Sequence, residues 1–525
     1  MTKGLHKMFY KIVTLAVVAF APVCFVYGQT VDQQLRAFVS GRNVPNIGGN
    51  MAGEINFFYA ELQYQTAWIQ NQNRQQLNTL LTQIKSSPML ALKPEEYDQT
   101  YIEDFNKGAL SLRTANDSLQ AEMRITEAAI RFYSDISTGN TVPQFGYTGV
   151  NRNQDRGPFL LQLTNHTQRQ TIAELPVILS PALNEVTVLI KKIRQLSDRN
   201  EHVKDIIITT DRINKTPPML AGRFYQLGLI DEPTEILTDS SRKQMLRAAQ
   251  RMFNLTVDGV LNRELMQELN VPVPIRIRQL KLAVNYYRWL SGLTINRSVI
   301  VVNIPAAYLR VYRNNEPILS MRMIVGKPST PTPTLSSIVQ EVVLYPYWHV
   351  PYSIATKEIL PILKRDPGYI KSGNYQVLNS SGKIINAGSI NWASYSSKYF
   401  PFTLRQSTGC DNALGLLKLN FNSPFGVYLH DTPIKLFFNA AKRFMSHGCM
   451  RMENPLEMGH LVLENNKIAI DTLTEKGCIR NQSPIVVPAD VKMPVIVWYN
   501  PAGINNEGEP VFYQDIYKKF KWSEH

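Results

Sequence analysis

The period of the hydrophobic pattern changes once along this chain, near residue 297, and that change excludes a fold built from one kind of layer. From Gln29 to about Lys215, apolar residues recur at helical spacing. In ELQYQTAWIQNQNRQQLNTLLTQIKSS, Trp68, Leu77, Leu80, Leu81 and Ile84 form one stripe. In SLQAEMRITEAAIRFYSDIS, Leu119, Met123, Ile125, Ala129, Ile130 and Tyr133 form another, opposite Glu122, Arg124 and Arg131. Helices bury such faces against one another, so a helical scaffold is expected over 29–215. The break at NKTPP opens a small helical module over 216–272, in which Leu220, Phe224, Leu227, Met245, Ala249, Phe253, Leu255, Val257, Leu265 and Leu269 are expected to pack and Asp258-Gly259 to turn. A helical bridge follows over 273–296.

Beyond the bridge, SVIVVNIPAAYLRVYR, PILSMRMIVG, SSIVQEVVLYPYWHV and FGVYLHD are short runs of β-branched and aromatic residues bounded by turn residues, the pattern of strands. A mainly β domain is expected over 297–485, with a β hairpin and tail over 486–525. Residues 352–411 interrupt it with a mixed stretch rich in Ser, Gly and Tyr. Insertions that long inside a compact domain serve as lids or binding loops. The fold class expected is multidomain α+β: scaffold, small helical module, and a mainly β domain carrying a lid insertion.

Lys3, Lys7 and Lys11 precede an uncharged run from Ile12 to Gly28, an export signal in outline, with Val26 and Gly28 placed for a cut after Gly28. Residues 1–28 are expected to be a signal peptide; left uncut, the run would tether the chain to a membrane. Either way the remainder is expected in the periplasm or cell envelope. Lys+Arg 56 against Asp+Glu 42 gives a net charge of +14. That excess favours acidic polymers, and no nucleic-acid partner is expected of an exported chain. Four cysteines in 525 residues cannot make a disulfide framework. With Cys24 lost in the signal, Cys410, Cys449 and Cys478 include at least one odd thiol; whether Cys410 and Cys478 pair stays open.

The odd thiol finds its setting in VYLHDTPIKLFFNAAKRFMSHGCMRMENP, where His430 on a β-like run is followed by Ser446-His447-Gly448-Cys449. A cysteine becomes a nucleophile when an imidazole takes its proton and nearby backbone N–H groups face the attacked carbonyl. Gly448 permits a tight turn, so the amides of Gly448 and Cys449 are expected to form an oxyanion hole. Arg451, two residues on in an extended strand, points to the same side as Cys449 and is expected to favour the thiolate and hold a substrate carboxylate. For orienting His430, a backbone carbonyl is expected rather than Asp431, whose side chain faces the other way in a strand. His430, His447 and Cys449 are permitted zinc ligands but lack closely spaced partners; no metal and no other cofactor is expected.

The pattern H-x(15)-S-H-G-C-M-R resembles the catalytic motif of the YkuD-type L,D-transpeptidases. The resemblance extends through VVNIPAAYLRVYRNNEPILSMRMIVGKPSTPTP, YPYWHVPYSIATKEILPILKRDPGYI and VYLHDTP. Residues 216–272 in turn resemble the peptidoglycan-binding type 1 module through Ala249, Phe253, Leu255, Asp258, Gly259 and Leu265, although Asn254 stands where that family often has Gly and 261–264 depart from its pattern. Together the order of parts is similar to the large multidomain periplasmic members of the family. The resemblance implies that Cys449 is the nucleophile, His430 the general base and His447 the motif's second histidine, with Ser446 and Gly448 completing the turn. It also implies that Trp348 and Tyr428 lie near the donor cleft, as lining or as packing aromatics. The implied reaction is attack on a peptidoglycan tetrapeptide stem, release of D-alanine, a thioester at Cys449, and transfer to an amine of another stem. Implied partners are stem peptides and glycan strands, with carbapenem-class β-lactams as covalent inhibitors. Two other functions stay open: an L,D-carboxypeptidase using water as acceptor, and a non-catalytic wall-binding scaffold. A lid that excludes water favours transfer.

Overall fold

A computed structural model describes residues 34–39, 49–151, 156–209, 217–232, 238–409, 411–466, 470, 473, 479 and 482–522. The export signal expected at 1–28 and any pairing of Cys410 with Cys478 lie outside the described residues. Among the described residues, no helix is long and apolar enough to cross a membrane. The chain divides into two compact units, residues 1–140 with 154–180, and residues 141–153 with 181–525. Together they form a multidomain α+β protein, helical towards the amino end and mainly β beyond.

The first unit is helical. Its central helix, Ala115–Thr138, starts at a capping box in which Thr114 and Asp117 exchange side-chain-to-backbone hydrogen bonds. Leu77, Leu80, Leu81 and Ile84 are buried on Arg74–Lys85 as the pattern requires, while Trp68 of the same stripe sits just outside that helix, buried in the same core. One expectation fails. Glu122, assigned by its spacing to the polar face with Arg124 and Arg131, is fully buried. The central helix is covered on both faces, and the segment 66–69 closes over the side that spacing left to solvent. The Glu122 carboxylate accepts hydrogen bonds from the amides of Ala67, Trp68 and Ile69 and from the Tyr59 hydroxyl.

Burial raises the Glu122 pKa from 4.5 to about 7, against those same hydrogen bonds. The folded state therefore prefers the neutral acid. Its stabilisation is complete below pH 4.5 and is lost as pH rises through 7, a swing of about 3 kcal/mol. Melting of the full chain at pH 5 and pH 8 should show the first unit weakening with pH, and Glu122→Gln should flatten that slope.

The second unit is built on a closed barrel. Starting from Leu335–Leu344, the strands run Leu417–Phe421, Leu429–His430, Met450–Met452, Glu316–Gly326, Tyr308–Arg313, Ser298–Asn303 and Pro494–Trp498, and the last pairs back onto the first. Closure pairs the two strands that would be the edges of an open sheet, while Ile485–Pro488 is added beside Leu335–Leu344 off the closed path. The strand Pro494–Trp498, assigned by sequence to a C-terminal appendage from residue 486, is thus a barrel stave between Ser298–Asn303 and Leu335–Leu344. Only Ala502–Ile504 and Pro510–Phe512 form the separate hairpin, with Gly508 at positive φ in its turn. Inside lie Ile300, Val302, Leu309, Met323, Leu335, Val342, Leu417, Leu419, Leu429, Met450 and Met452.

Helix Asn184–Arg199, counted by sequence with the scaffold, belongs to the second unit and packs on the bridge helix Val273–Thr294. In the small module, helices Pro217–Gln226, Asp239–Met252 and Arg263–Leu269 bury Phe224, Ala249, Phe253 and Leu265. Val257, expected to pack there, is exposed, because the turn that follows is held by Gln250, whose side chain bonds Asp258 and the Gly259 amide. Arg276 of the bridge helix pairs with Glu268 and lies over Phe253 and Phe512, tying the module to the C-terminal hairpin.

The insertion at 352–411 is more than a loop. Short helical turns from Tyr352 to Leu363 lead into a separate four-stranded sheet that joins Trp348–His349, Thr403–Gln406, Tyr375–Leu378 and Ile384–Ile385 in that order. Its own core gathers Val350, Ile359, Leu363, Val377, Trp392, Phe400 and Leu404. A small folded layer, rather than a flexible strap, therefore rises from the barrel between Leu344 and Leu417.

Candidate active site

Leu417, Leu419, Leu429, Met450 and Met452 face the barrel core, so the alternation of a strand turns the residues between them outward. Register does the rest. Lys418 stands opposite His430, and His430 beside Arg451, on three adjacent strands. Three polar side chains thus form one row on the outer face, and Cys449 precedes Arg451 at the mouth of its strand.

The thiol is carried by a turn that the sequence braces from two sides. Ser446 is buried; its Oγ accepts from the Gly448 amide at 3.1 Å and donates to the Cys449 carbonyl at 2.6 Å. Gly448 has φ +117°, a value that side chains with a Cβ rarely adopt. From the segment after Gly326, the Thr330 hydroxyl donates to the Ser446 carbonyl and the Thr332 hydroxyl to the Gly448 carbonyl, at 3.1 and 2.8 Å. Because Ser446 takes the Gly448 amide, the expected pair of oxyanion donors reduces to one. The Cys449 amide has no acceptor among the described residues.

Thr332 is fully buried and also accepts from the Gly326 amide. Thr332→Val keeps the shape and removes both bonds. That leaves a buried carbonyl and amide unpaired, at a cost of roughly 2 kcal/mol. Slower modification of Cys449 by a carbapenem and a lower melting temperature are expected, both restored by Thr332→Ser.

His430 is buried, its Nδ1 lying 2.5 Å from the Asp431 carbonyl oxygen. The backbone carbonyl therefore orients the ring, as the strand argument expects. The Asp431 side chain is committed elsewhere, to the amides of Leu416 and Thr432 and to Lys435. Burial first, then the positive charge of Arg451, hold the His430 pKa down, to about 3. The imidazole is neutral at any physiological pH, with Nε2 free to accept a proton once Nδ1 donates to the carbonyl.

The group that hydrogen-bonds the thiol is Tyr428, through both its hydroxyl and its backbone amide. Burial raises the Cys449 pKa, and Tyr428, Lys418 and Arg451 pull it back down. The Tyr428 ring stands edge-on to His430 with centroids 5.5 Å apart. Arg451 is half-buried, and its Nε has no hydrogen-bond partner among the described residues. His447 is exposed and its Nε2 lies 2.7 Å from Glu358 of the insertion, which ties the insertion to the thiol turn. The Trp348 ring packs with Tyr375 against the insertion's own core, at the base of the insertion.

Sequence reasoning brings Cys449, His430, Tyr428 and Arg451 to one place and misses Lys418, Glu358, Thr330 and Thr332. Only the alternation in LLKLNF, which sets Lys418 between two core leucines, signals one of them. Among the described residues, no cluster of three or more His, Cys, Asp or Glu could hold a metal ion.

A closed barrel that sets a half-buried thiol in a braced turn, beside a neutral imidazole and two cations, is the framework a thiol-dependent enzyme requires. Residues 297–470 match the family of the YkuD L,D-transpeptidase catalytic domain, and residues 53–184 match a family described as a scaffold domain. The chain therefore carries a YkuD-type L,D-transpeptidase catalytic domain preceded by a scaffold domain. A putative L,D-transpeptidase of Haemophilus influenzae is 36% identical over 269 residues, covering 50% of this chain and 53% of the relative. The chain thus spans about half the length of the curated relative it matches. Among solved structures, an L,D-transpeptidase in complex with imipenem is 19% identical over 38% of this chain and 58% of its own, with a TM-score of 0.18. An L,D-transpeptidase from Xylanimonas cellulosilytica is 10% identical over 54% and 92%, with a TM-score of 0.17. Overlaps that low carry no weight for fold or function.

Proposed function

We propose that this chain cross-links peptidoglycan in the cell envelope as an L,D-transpeptidase. The observation that carries the reading is the braced Ser446–Cys449 turn, which presents a half-buried thiol to Tyr428 beside a neutral His430. The Cys449 sulfur attacks the carbonyl of the third residue of a tetrapeptide stem as its proton passes to Nε2 of His430. The oxyanion takes a hydrogen bond from the Cys449 amide. The C–N bond breaks, D-alanine leaves as an amine with the proton from His430, and a thioester remains on Cys449. An amine of a second stem gives a proton to the same nitrogen and attacks, and the C–S bond breaks to restore the thiol.

Arg451 holds a carboxylate of the donor stem, and the net charge of +14 suits an acidic wall polymer. The folded insertion tied to His447 through Glu358 keeps water from the thioester, which favours an amine acceptor over hydrolysis. β-Lactams of the carbapenem class acylate the same sulfur.

The test is mass spectrometry of the purified chain incubated with disaccharide-tetrapeptide. D-alanine together with a cross-linked dimer supports transfer. D-alanine without dimer makes the chain a carboxypeptidase, and neither product, with glycan still bound, makes it a scaffold.

A further inference from the structure

A thiolate in a buried site needs a positive partner, and the usual one, an imidazolium, is not on offer here. His430 is flanked in its row by Lys418 on one side and Arg451 on the other, so a third positive charge between them is disfavoured. Lys435, which also bears on His430, is committed to the Asp431 carboxylate at 2.7 Å and the Glu453 carbonyl at 2.8 Å. Lys418 is different. It is half-buried, and among the described residues its ammonium has no carboxylate or carbonyl within hydrogen-bonding reach. It lies instead 3.9 Å from the centroid of the Tyr428 ring, whose hydroxyl bonds the Cys449 sulfur.

We propose that Lys418 is a positioning residue for the nucleophile: its ammonium, seated on the Tyr428 ring, holds the phenol against the Cys449 sulfur and supplies the charge that stabilises the thiolate. This deepens the transpeptidase reading and rests on Cys449 as its nucleophile. The cation–ring contact fixes a side chain that otherwise rotates freely about its own bond. Burial disfavours the ammonium, and the Cys449 thiolate and Glu341 favour it, so lysine and thiolate support each other's charged forms. The other groups that bear on the sulfur are few. Arg451 adds charge from the following strand, His430 is neutral, and His447 of the thiol turn is engaged with Glu358. The arrangement leaves the sulfur reactive without protonating the base that must later collect a proton from the acceptor amine.

The experiment reads the thiolate directly. The rate of Cys449 alkylation by iodoacetamide is followed against pH on the full chain, for wild type, Lys418→Met and Lys418→Arg, with alkylation at Cys449 located by peptide mass. Lys418→Met keeps the aliphatic stem on the Tyr428 ring and removes the charge. Its alkylation midpoint should move up by about one pH unit, which is about a ten-fold slower reaction at neutral pH, and Lys418→Arg should bring it back towards wild type. A midpoint unmoved in Lys418→Met overturns the proposal, and so does a midpoint that moves equally in Lys418→Arg, since shape rather than charge would then be at work. Should Lys418→Met prove unstable, Lys418→Gln is read in its place. Alkylation needs no peptidoglycan, so a failure of this proposal leaves the transpeptidase assay untouched, and a failure of that assay leaves this one readable.

Discussion

Cys449→Ala is expected to reduce D-alanine release from a tetrapeptide substrate by at least about 10⁴-fold, because no other group in the outer-face row can form the acyl intermediate. Tyr428 addresses the sulfur with both hydroxyl and amide, and the turn around it is held by Ser446, Thr330 and Thr332 rather than by the thiol. The alanine variant should therefore melt as wild type does. Cys449→Ser is the sharper control. A serine hydroxyl can accept from Tyr428 in the same place, but an alcohol is a far weaker acid than a thiol and the same imidazole does not activate it. It should fold, bind and fail to react. Intact mass after exposure to a carbapenem reads the result: one added inhibitor on wild type, none on either variant. Substantial D-alanine release by Cys449→Ala would remove this residue from the mechanism.

What the sequence discloses of this site is what lies within a few residues of the thiol. Ser446, Gly448, Cys449 and Arg451 stand on one turn and strand, and Tyr428 immediately precedes the short strand that carries His430, so spacing alone assigns their sides. Lys418 reaches the same row through strand register, which no local pattern fixes. Glu358 meets His447 across 89 residues, because the insertion folds into a layer with its own core. In the fold, the change of period near residue 297 locates the switch from helix to barrel. It could not show that Pro494–Trp498 returns to close the barrel, nor that Glu122 is covered by chain 66–69. Both depend on contacts distant in sequence, and for Glu122 a helix buried on two faces defeats the rule that a charge marks the wet side.

His430→Gln should slow acylation of Cys449 by about 10²- to 10⁴-fold near neutral pH, and the shape of the pH profile decides whether it does so as a base. In the wild type, burial and the flanking Arg451 keep the imidazole uncharged down to about pH 3, so the ionisation that shapes the profile is that of the Cys449 thiol, which burial pushes up. The rate of carbapenem acylation should accordingly climb with pH along a single limb and level off where the thiol, raised by its own burial, is ionised. With glutamine at 430 the amide can still meet the Asp431 carbonyl, but nothing accepts the proton. The deficit should be greatest at low pH, where the thiol must be deprotonated during attack, and should narrow at high pH, where the thiolate is already formed. A wild-type profile with an acid limb near pH 6.5, the ordinary histidine value, would show that an imidazolium forms and that the two flanking cations do not suppress it. A deficit in His430→Gln that is the same at every pH would instead make His430 a support for Tyr428, the neighbour its ring meets edge-on, and leave the base to be found elsewhere.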